Sequence, residues 1–191
     1  MHIHILIRTR AIGGLEKQAL ELFYMLRELG HQVEFVFVYD SPSFTSPWPR
    51  LDFPRSNLLL ANSLTKFSPF TVFQLSYKLS TLLQEGLRPL HCSEPLILIS
   101  FGTKENLIAI IGRFLAFCFG CRSIRLLISE RNHPKYSYST PLLSALRYFL
   151  YPFADILHVQ SRSIERWFQN SLNIPASRIV EIPNISHLET C

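Results

Sequence analysis

This sequence contains no uninterrupted apolar run of about 20 residues, the length a membrane-spanning helix needs. Its most apolar region, Leu107–Ile128, is cut by Arg113 near its start and carries Arg122 and Arg125 near its end. The opening residues are no leader peptide either: His2 and His4 alternate with Ile3 and Ile5, and Arg8 and Arg10 end the run before an apolar core of leader length can form. Cysteine is scarce, with four in the chain (Cys92, Cys118, Cys121 and Cys191). Without a secretion signal, that usage points to a reducing compartment, and the expected location is cytoplasmic. Cys118 and Cys121 have the C-x-x-C spacing of redox and zinc sites, but no second pair completes a zinc set. Their flanks, FLAFCFGCRSI, read as a buried helix end, so no metal is expected. Long Lys/Arg blocks and nucleic-acid module signatures are also missing, which argues against a nucleic-acid partner. No repeat or low-complexity tract occurs, and this excludes solenoids and disordered tails.

What is present suits one globular domain. Of the 191 residues, 48% are hydrophobic and 17% charged, and fifteen Phe supply bulk for a core. The formal net charge is +5, a balance that favours anionic partners or simply a mildly basic solvated surface.

Hydrophobic periodicity alternates between two kinds of segment. His2–Ile7 reads as a short strand. Leu15, Ala19, Leu22, Leu26 and Leu29 form one stripe of a helix, and Gly30 is placed to end it in the left-handed conformation. Val33–Val38 reads as a second, mostly buried strand, completing a β-α-β unit with parallel strands and a right-handed crossover. Pro42, Pro47, Pro49 and Pro54 break the pattern over Ser41–Asn57, and Leu58–Ala61 is a weak strand. Further along come a helix over Pro69–Gly86, a strand over Leu96–Ser100, a helix over Glu105–Phe119 and a strand over Arg125–Ser129. After a loop, Thr140 and Pro141 open a helix as N-cap and first helical residue, and it ends near Pro152. Ile156–Val159, Ser161–Leu172 and Ile179–Ile182 add a strand, a helix and a last strand. The pattern predicts an α/β fold: a doubly wound, Rossmann-like, mostly parallel sheet of about six or seven strands with helices on both faces. Ligands of such sheets bind beyond the C-terminal strand ends, so chemistry is sought in the loops that follow the strands, including Arg8–Gly14, Phe101–Glu105 and Glu130–Ser139.

Gly13-Gly14 falls between the first strand and the first helix. A helix N-terminus offers unpaired N–H groups, and two glycines let an anion approach bare backbone. For a lone Gly-Gly pair the commoner reading is a tight turn and nothing more. It is not the dinucleotide fingerprint, because Leu15, Glu16, Lys17 and Gln18 follow where a third glycine would be required, and this disfavours a dinucleotide-dependent oxidoreductase. Asp40, where such an enzyme would hold ribose, then reads as a loop residue.

These residues resemble a known family. The stretch IGGLEKQALELFYMLRELGHQVEFV looks like the opening of family-4 glycosyltransferases, which have the GT-B fold, with Lys17 where Arg is commoner. LILISFGTKENLIAI, then Ser129-Glu130-Arg131-Asn132-His133-Pro134, then YPFADILHVQSRSIERWF and NIPASRIVEIPN resemble later segments of the same N-terminal domain. The similarity spans most of the chain outside Ser41–Pro95. It implies a domain over residues 1–184 that binds the acceptor, a glycan or a lipid-linked sugar, followed by the start of a linker over 185–191. The complete enzyme would take a nucleotide-diphosphate sugar as co-substrate, use no other cofactor, and transfer the sugar with retention. Gly13 and Gly14 would then face the donor diphosphate, with Lys17, Arg131, Asn132 and His133 as further donor- or acceptor-binding residues. Glu130 falls where many relatives carry a His near the reacting carbon; it reads either as a base or as half of an ion pair with Arg131. The donor-binding domain of the family, with its basic phosphate ligands, is expected to lie outside this sequence. That suggests a truncated chain, inactive alone unless a C-terminal domain or partner chain supplies it; the alternative is a stand-alone binding domain without turnover. Lys66, Lys78 and Arg88 beside Phe67, Phe70, Phe73 and Tyr77 could rest peripherally on an anionic membrane, or the rings could be core and the charges merely solvated.

Overall fold

The computed structural model describes residues 1–8, 13–39, 57–58, 68–87, 95–135 and 140–183. Asp40, most of the proline-rich loop, Leu59–Ala61, Lys66, Phe67, Arg88, Cys92, Cys191, Asn184 and the linker over 185–191 lie outside the described residues.

Seven strands form one sheet: β1 (His2–Ile7), β2 (Gln32–Phe37), β3 (Asn57–Leu58), β4 (Leu96–Phe101), β5 (Ile124–Glu130), β6 (Ile156–Val159) and β7 (Ile179–Glu181). Their order is β3-β2-β1-β4-β5-β6-β7. Every pairing is parallel, with His2 opposite both Gln32 and Leu96, and Leu96 opposite Ile124. Among the described residues five helices lie between the strands: α1 (Gly14–Glu28), α2 (Pro69–Leu87), α3 (Thr103–Cys118), α4 (Pro141–Leu150) and α5 (Arg162–Leu172). A single 3-10 turn, Tyr151–Phe153, follows α4. Strand order reverses between β1 and β4, which fixes the switch point where the loops after those strands part.

The local devices follow from the sequence. Gly30 takes φ +81° just past α1, as expected of a left-handed terminator. Thr140 caps α4 by accepting from the Leu143 N–H at 3.4 Å, with Pro141 behind it. Asn173 ends α5 at φ 52°, using the tolerance of Asn for that region.

Two cores lie on opposite faces of the sheet. On one, Phe23 of α1 stacks on Phe35 of β2 at 4.8 Å, and Ile3, Ile5, Ile7, Val33, Phe37 and Ile99 complete the layer. On the other, α2 through α5 pack against Leu6, Val36, Leu98, Leu126, Ile128 and Leu157. The asymmetry has a handedness cause. Right-handed crossovers running toward β7 all lie on one face, and α1, the described helix that runs the other way, lies opposite. Among the described residues no helix covers that opposite face over β6 and β7, where Ile156 and Val180 are 39% and 40% exposed. Parallel sheets are ordinarily covered on both sides, so this half-bare face is unusual.

The boundaries differ from the sequence pattern at α3, which begins at Thr103 rather than Glu105 because Gly102, at φ +99°, turns the chain directly out of β4. The C-x-x-C segment departs further. Rather than lying at a buried helix end, Cys118 is exposed and Cys121 half-buried, and Phe117 and Phe119 are 53% and 58% exposed. Helix α3 buries its N-terminal two-thirds under α2, and its last turn projects past the layer.

The α2–α3 crossing is close. The Ser76 hydroxyl donates to the Ile108 carbonyl at 3.2 Å. A Cβ on Gly112 would fall 2.9 Å from Leu79 Cδ2 and 3.1 Å from the Ser76 carbonyl oxygen. Gly112→Ala should therefore destabilise the protein by about 1–3 kcal/mol through overpacking, against the gain of about 1 kcal/mol that helix propensity alone would give. Denaturant unfolding reads the sign, and a higher midpoint in the variant would show that the helices part freely.

Candidate functional site

The loops after β1 and β4 leave the sheet side by side, and α1 and α3 begin there with the same Gly-x-x-Glu pattern. Gly13-Gly14-Leu15-Glu16 and Gly102-Thr103-Lys104-Glu105 each place a Gly at the N-cap and a Glu three residues later. In α1 the Glu16 carboxylate folds back and accepts the Gly13 N–H at 3.1 Å. A Cβ on Gly13 would sit 2.7 Å from a Glu16 carboxylate oxygen, and one on Gly102 would sit 2.6 Å from Glu105. Glycine leaves room for the carboxylate tip at both caps, and Gly102 in addition needs glycine for its positive φ. Both carboxyls are buried, 9% exposed for Glu16 and 6% for Glu105. Burial pushes the Glu105 carboxyl up to about 7, with the Glu16 charge adding to the rise and Arg8 and Lys104 opposing it. Sequence reading passed over Glu105; the repeated Gly-x-x-Glu after two strands was the available signal.

Gly14 differs from its neighbour. Among the described residues, its chain neighbours aside, no atom lies within 4 Å of where its Cβ would be. Arg131, on the loop after β5, donates from Nη1 to the Gly14 carbonyl at 3.1 Å and lies in the field of Glu16. The structure thus brings together three of the residues singled out by sequence, Gly13, Gly14 and Arg131. Lys17 is exposed on the first turn of α1, and Asn132 is exposed on the β5 loop. His133 turns away toward α5, edge-on to Trp167 at 6.5 Å, and its Nδ1 accepts the Lys135 N–H at 3.2 Å.

Glu130 ends β5 and is 1% exposed. Its ion-pair partner is not Arg131 but Arg147 of α4, whose Nε lies 3.7 Å from Oε2 and which is itself buried. The sequence neighbour points along the strand toward Gly14, whereas the residue from the next helix fills the layer beneath. The Tyr151 hydroxyl, which accepts from Asn106 Nδ2 at 3.2 Å, donates to Glu130 Oε2 at 2.6 Å. The Thr103 hydroxyl lies 3.0 Å from both carboxylate oxygens and accepts from Arg147 at 3.3 Å. Burial raises the Glu130 pKa, while Arg147, Tyr151, Thr103 and the Asn132 backbone N–H pull it back. The same burial, with the Glu130 charge, drives the Tyr151 phenol well above its ordinary range, so it stays a donor. None of these partners was evident from spacing, since they come from three separate elements.

One further polar chain leaves the site. His158 Nε2 lies 3.1 Å from the Ile182 carbonyl, which can only accept, so Nε2 carries the proton. Its Nδ1 then accepts from the buried Ser129 hydroxyl at 2.8 Å. Burial lowers the His158 pKa, which keeps this neutral form. Among the described residues no cluster of His, Cys, Asp and Glu could hold a metal.

A family model described as Glycosyltransferase Family 4 matches residues 12–189. Among solved structures, the chain resembles the lipopolysaccharide outer core galactosyltransferase WaaB in its apo form, at 15% identity and TM-score 0.61, over 96% of this chain and 46% of that one. It also resembles a glycosyltransferase from Rickettsia africae (16%, 0.57, 96% and 43%). A third likeness is to the catalytic domain of starch synthase IV from Arabidopsis thaliana, bound to ADP and acarbose (14%, 0.59, 95% and 51%). These likenesses concern the fold, and the chain spans about half the length of each of these structures. No curated protein sequence matches the chain.

Two outcomes follow from the geometry. Glu130→Ala, which leaves Arg147 buried without its counter-charge, should cost about 3–5 kcal/mol, and Glu130→Gln, which keeps an acceptor, should cost less; unchanged denaturation midpoints would show that the carboxylate holds nothing. Glu105 titrates differently. Its pKa rises on folding from 4.5 to about 7, so its contribution to stability is full below the lower value and is lost as pH rises through the higher one. Glu105→Gln should therefore match the parent under acidic conditions and exceed it by about 2–3 kcal/mol above pH about 7. Chemical unfolding on both sides of that pH decides it, and an equal difference at the two would refute the assignment.

Proposed function

The chain belongs to glycosyltransferase family 4, and from that premise we propose that it forms the acceptor-binding domain of an enzyme that transfers a sugar, with retention, from a nucleotide-diphosphate sugar to a glycan or lipid-linked acceptor. Residues 1–184 make up that domain in this reading, and 185–191 begin the linker. The donor's nucleotide is held by a second domain, from further polypeptide or a partner chain, and the diphosphate comes to lie over Gly14. This chain's own residues bind and orient. Arg131 supplies positive charge beside the diphosphate, with Lys17 and Asn132 at the rim. His133 lines the acceptor side. Glu130 works as a positioning residue that holds the β5 loop, and so Arg131, at the cleft, rather than as a base. The expected location is the cytoplasm.

One observation carries the reading. The Arg131 guanidinium closes on the Gly14 carbonyl across 117 residues of sequence, while among the described residues the space a Gly14 Cβ would enter is open to 4 Å. A bare backbone at a helix N-terminus with a cation beside it suits an anion of phosphate size. A second reading, a binding domain without turnover, draws on the burial of Glu130, which leaves that carboxylate unavailable to a substrate hydroxyl.

Sugar transfer needs donor and acceptor in one cleft, so the 191-residue chain alone should show no turnover. Joined to a family C-terminal domain, it should bind nucleotide sugar. Gly14→Leu should then weaken donor affinity by about tenfold or more, because a side chain displaces the phosphate, with little change in thermal stability. Titration calorimetry beside thermal unfolding separates the cases. Unchanged affinity with a large loss of stability would mean that the glycines serve only the turn.

A further inference from the structure

Of the rings read from sequence as core or membrane-facing, the three among the described residues are exposed. Phe70, Phe73 and Tyr77 of α2, spaced three and four residues apart on one helix face, are 68%, 54% and 49% exposed. The surface does not end at α2. Tyr77 meets Phe119, just past α3, edge-on at 6.4 Å. Phe114 and Phe117 continue it along α3, and with Leu150 and Phe153 they wall an open apolar pocket of about 380 Å³. Phe114 and Phe153 are 64% and 68% exposed. An apolar surface running over α2, the end of α3 and the 3-10 turn after α4 is far more than the scattered exposed rings of a monomer.

Its charges are mostly of one sign. The Arg122 guanidinium lies over the Phe117 ring at 5.8 Å. Arg113 lines the pocket, and Arg178 donates to the Pro152 carbonyl beside Phe153 at 3.3 Å. The nearby Asp155 is already bound by Arg113 at 2.8 Å, with Arg125 at 3.8 Å. A second copy docked symmetrically would set these guanidiniums against one another, because a two-fold interface presents each patch to itself. An anionic bilayer meets both demands: rings enter the headgroup–acyl boundary and guanidiniums remain among the phosphates. No described helix is long and apolar enough to cross a membrane, so the contact is one of surface.

We propose that the face formed by α2, the end of α3 and the 3-10 turn after α4 docks this chain on anionic lipid. The proposal does not depend on sugar transfer and would survive the failure of that reading. It is tested by flotation of the 191-residue chain with vesicles of phosphatidylcholine alone and of phosphatidylcholine with phosphatidylglycerol. The chain should float with the anionic vesicles and stay behind with the neutral ones. The double variant Phe117→Ser, Phe119→Ser and, separately, Arg122→Glu should each lower recovery fivefold or more. Their substituted side chains stand at the surface, so circular dichroism and the melting temperature should match the parent. Equal recovery with both vesicles, no flotation of the parent, or variants that float as the parent does would overturn the proposal. So would a parent that light scattering shows to be dimeric and the variants monomeric.

Discussion

A single buried carboxylate ties the working edge of this domain together. Glu130 ends the interior strand β5 and is held by a hydroxyl from the start of α3, a guanidinium from α4 and a phenol from the turn after α4. Each of those elements reaches the sheet through its own loop, and their shared acceptor fixes how the loops stand to one another. Burial of a charge is tolerable only when its lone pairs are filled and a counter-charge is near. Glu130 meets both conditions, and the cost of losing either side falls on every element at once. The Asn132 N–H on the same carboxylate sets the first turn of the β5 loop, which is how a residue out of reach of solvent governs Arg131, which is not.

The switch point supplies the complementary half. Strands β1 and β4 send their helices to opposite faces, so the ends of α1 and α3 open onto one crevice without covering it. Arg131 spans from the β5 loop to Gly14 and makes that crevice a bounded space. Glycosyltransferase family 4 therefore enters this chain through a fold whose geometry already favours a ligand at one edge.

Much of the fold was legible because local and global signals agree. The short apolar strand His2–Ile7, the four-and-three spacing of α1, Gly30 and Thr140–Pro141 each marked their element. The site was legible where it rests on backbone: Gly13-Gly14 needs no partner to be recognised. It was illegible where it rests on packing. Nothing in the sequence pairs Glu130 with Arg147 rather than with the adjacent Arg131; that choice is made by strand alternation and the next helix. The exposed end of α3 was misread for a related reason, since FLAFCFGC is apolar on every side and hydropathy alone cannot say which side a sheet will cover.

The twin carboxylates at the helix starts have a thermodynamic side. A helix N-terminus is ordinarily an unclaimed positive pole, but here Glu16 and Glu105 already occupy the two that open at the switch point. An anion arriving there would compete with resident negative charge, so its binding would draw a proton onto Glu105 or swing the carboxylates aside. With burial holding the Glu105 carboxyl near 7, an anion seated beside it would favour its protonated form, and the crevice would take up hydrogen ions near neutrality as it filled. Occupancy by any anion then registers in buffers of differing ionisation enthalpy as heat beyond that of the contact itself.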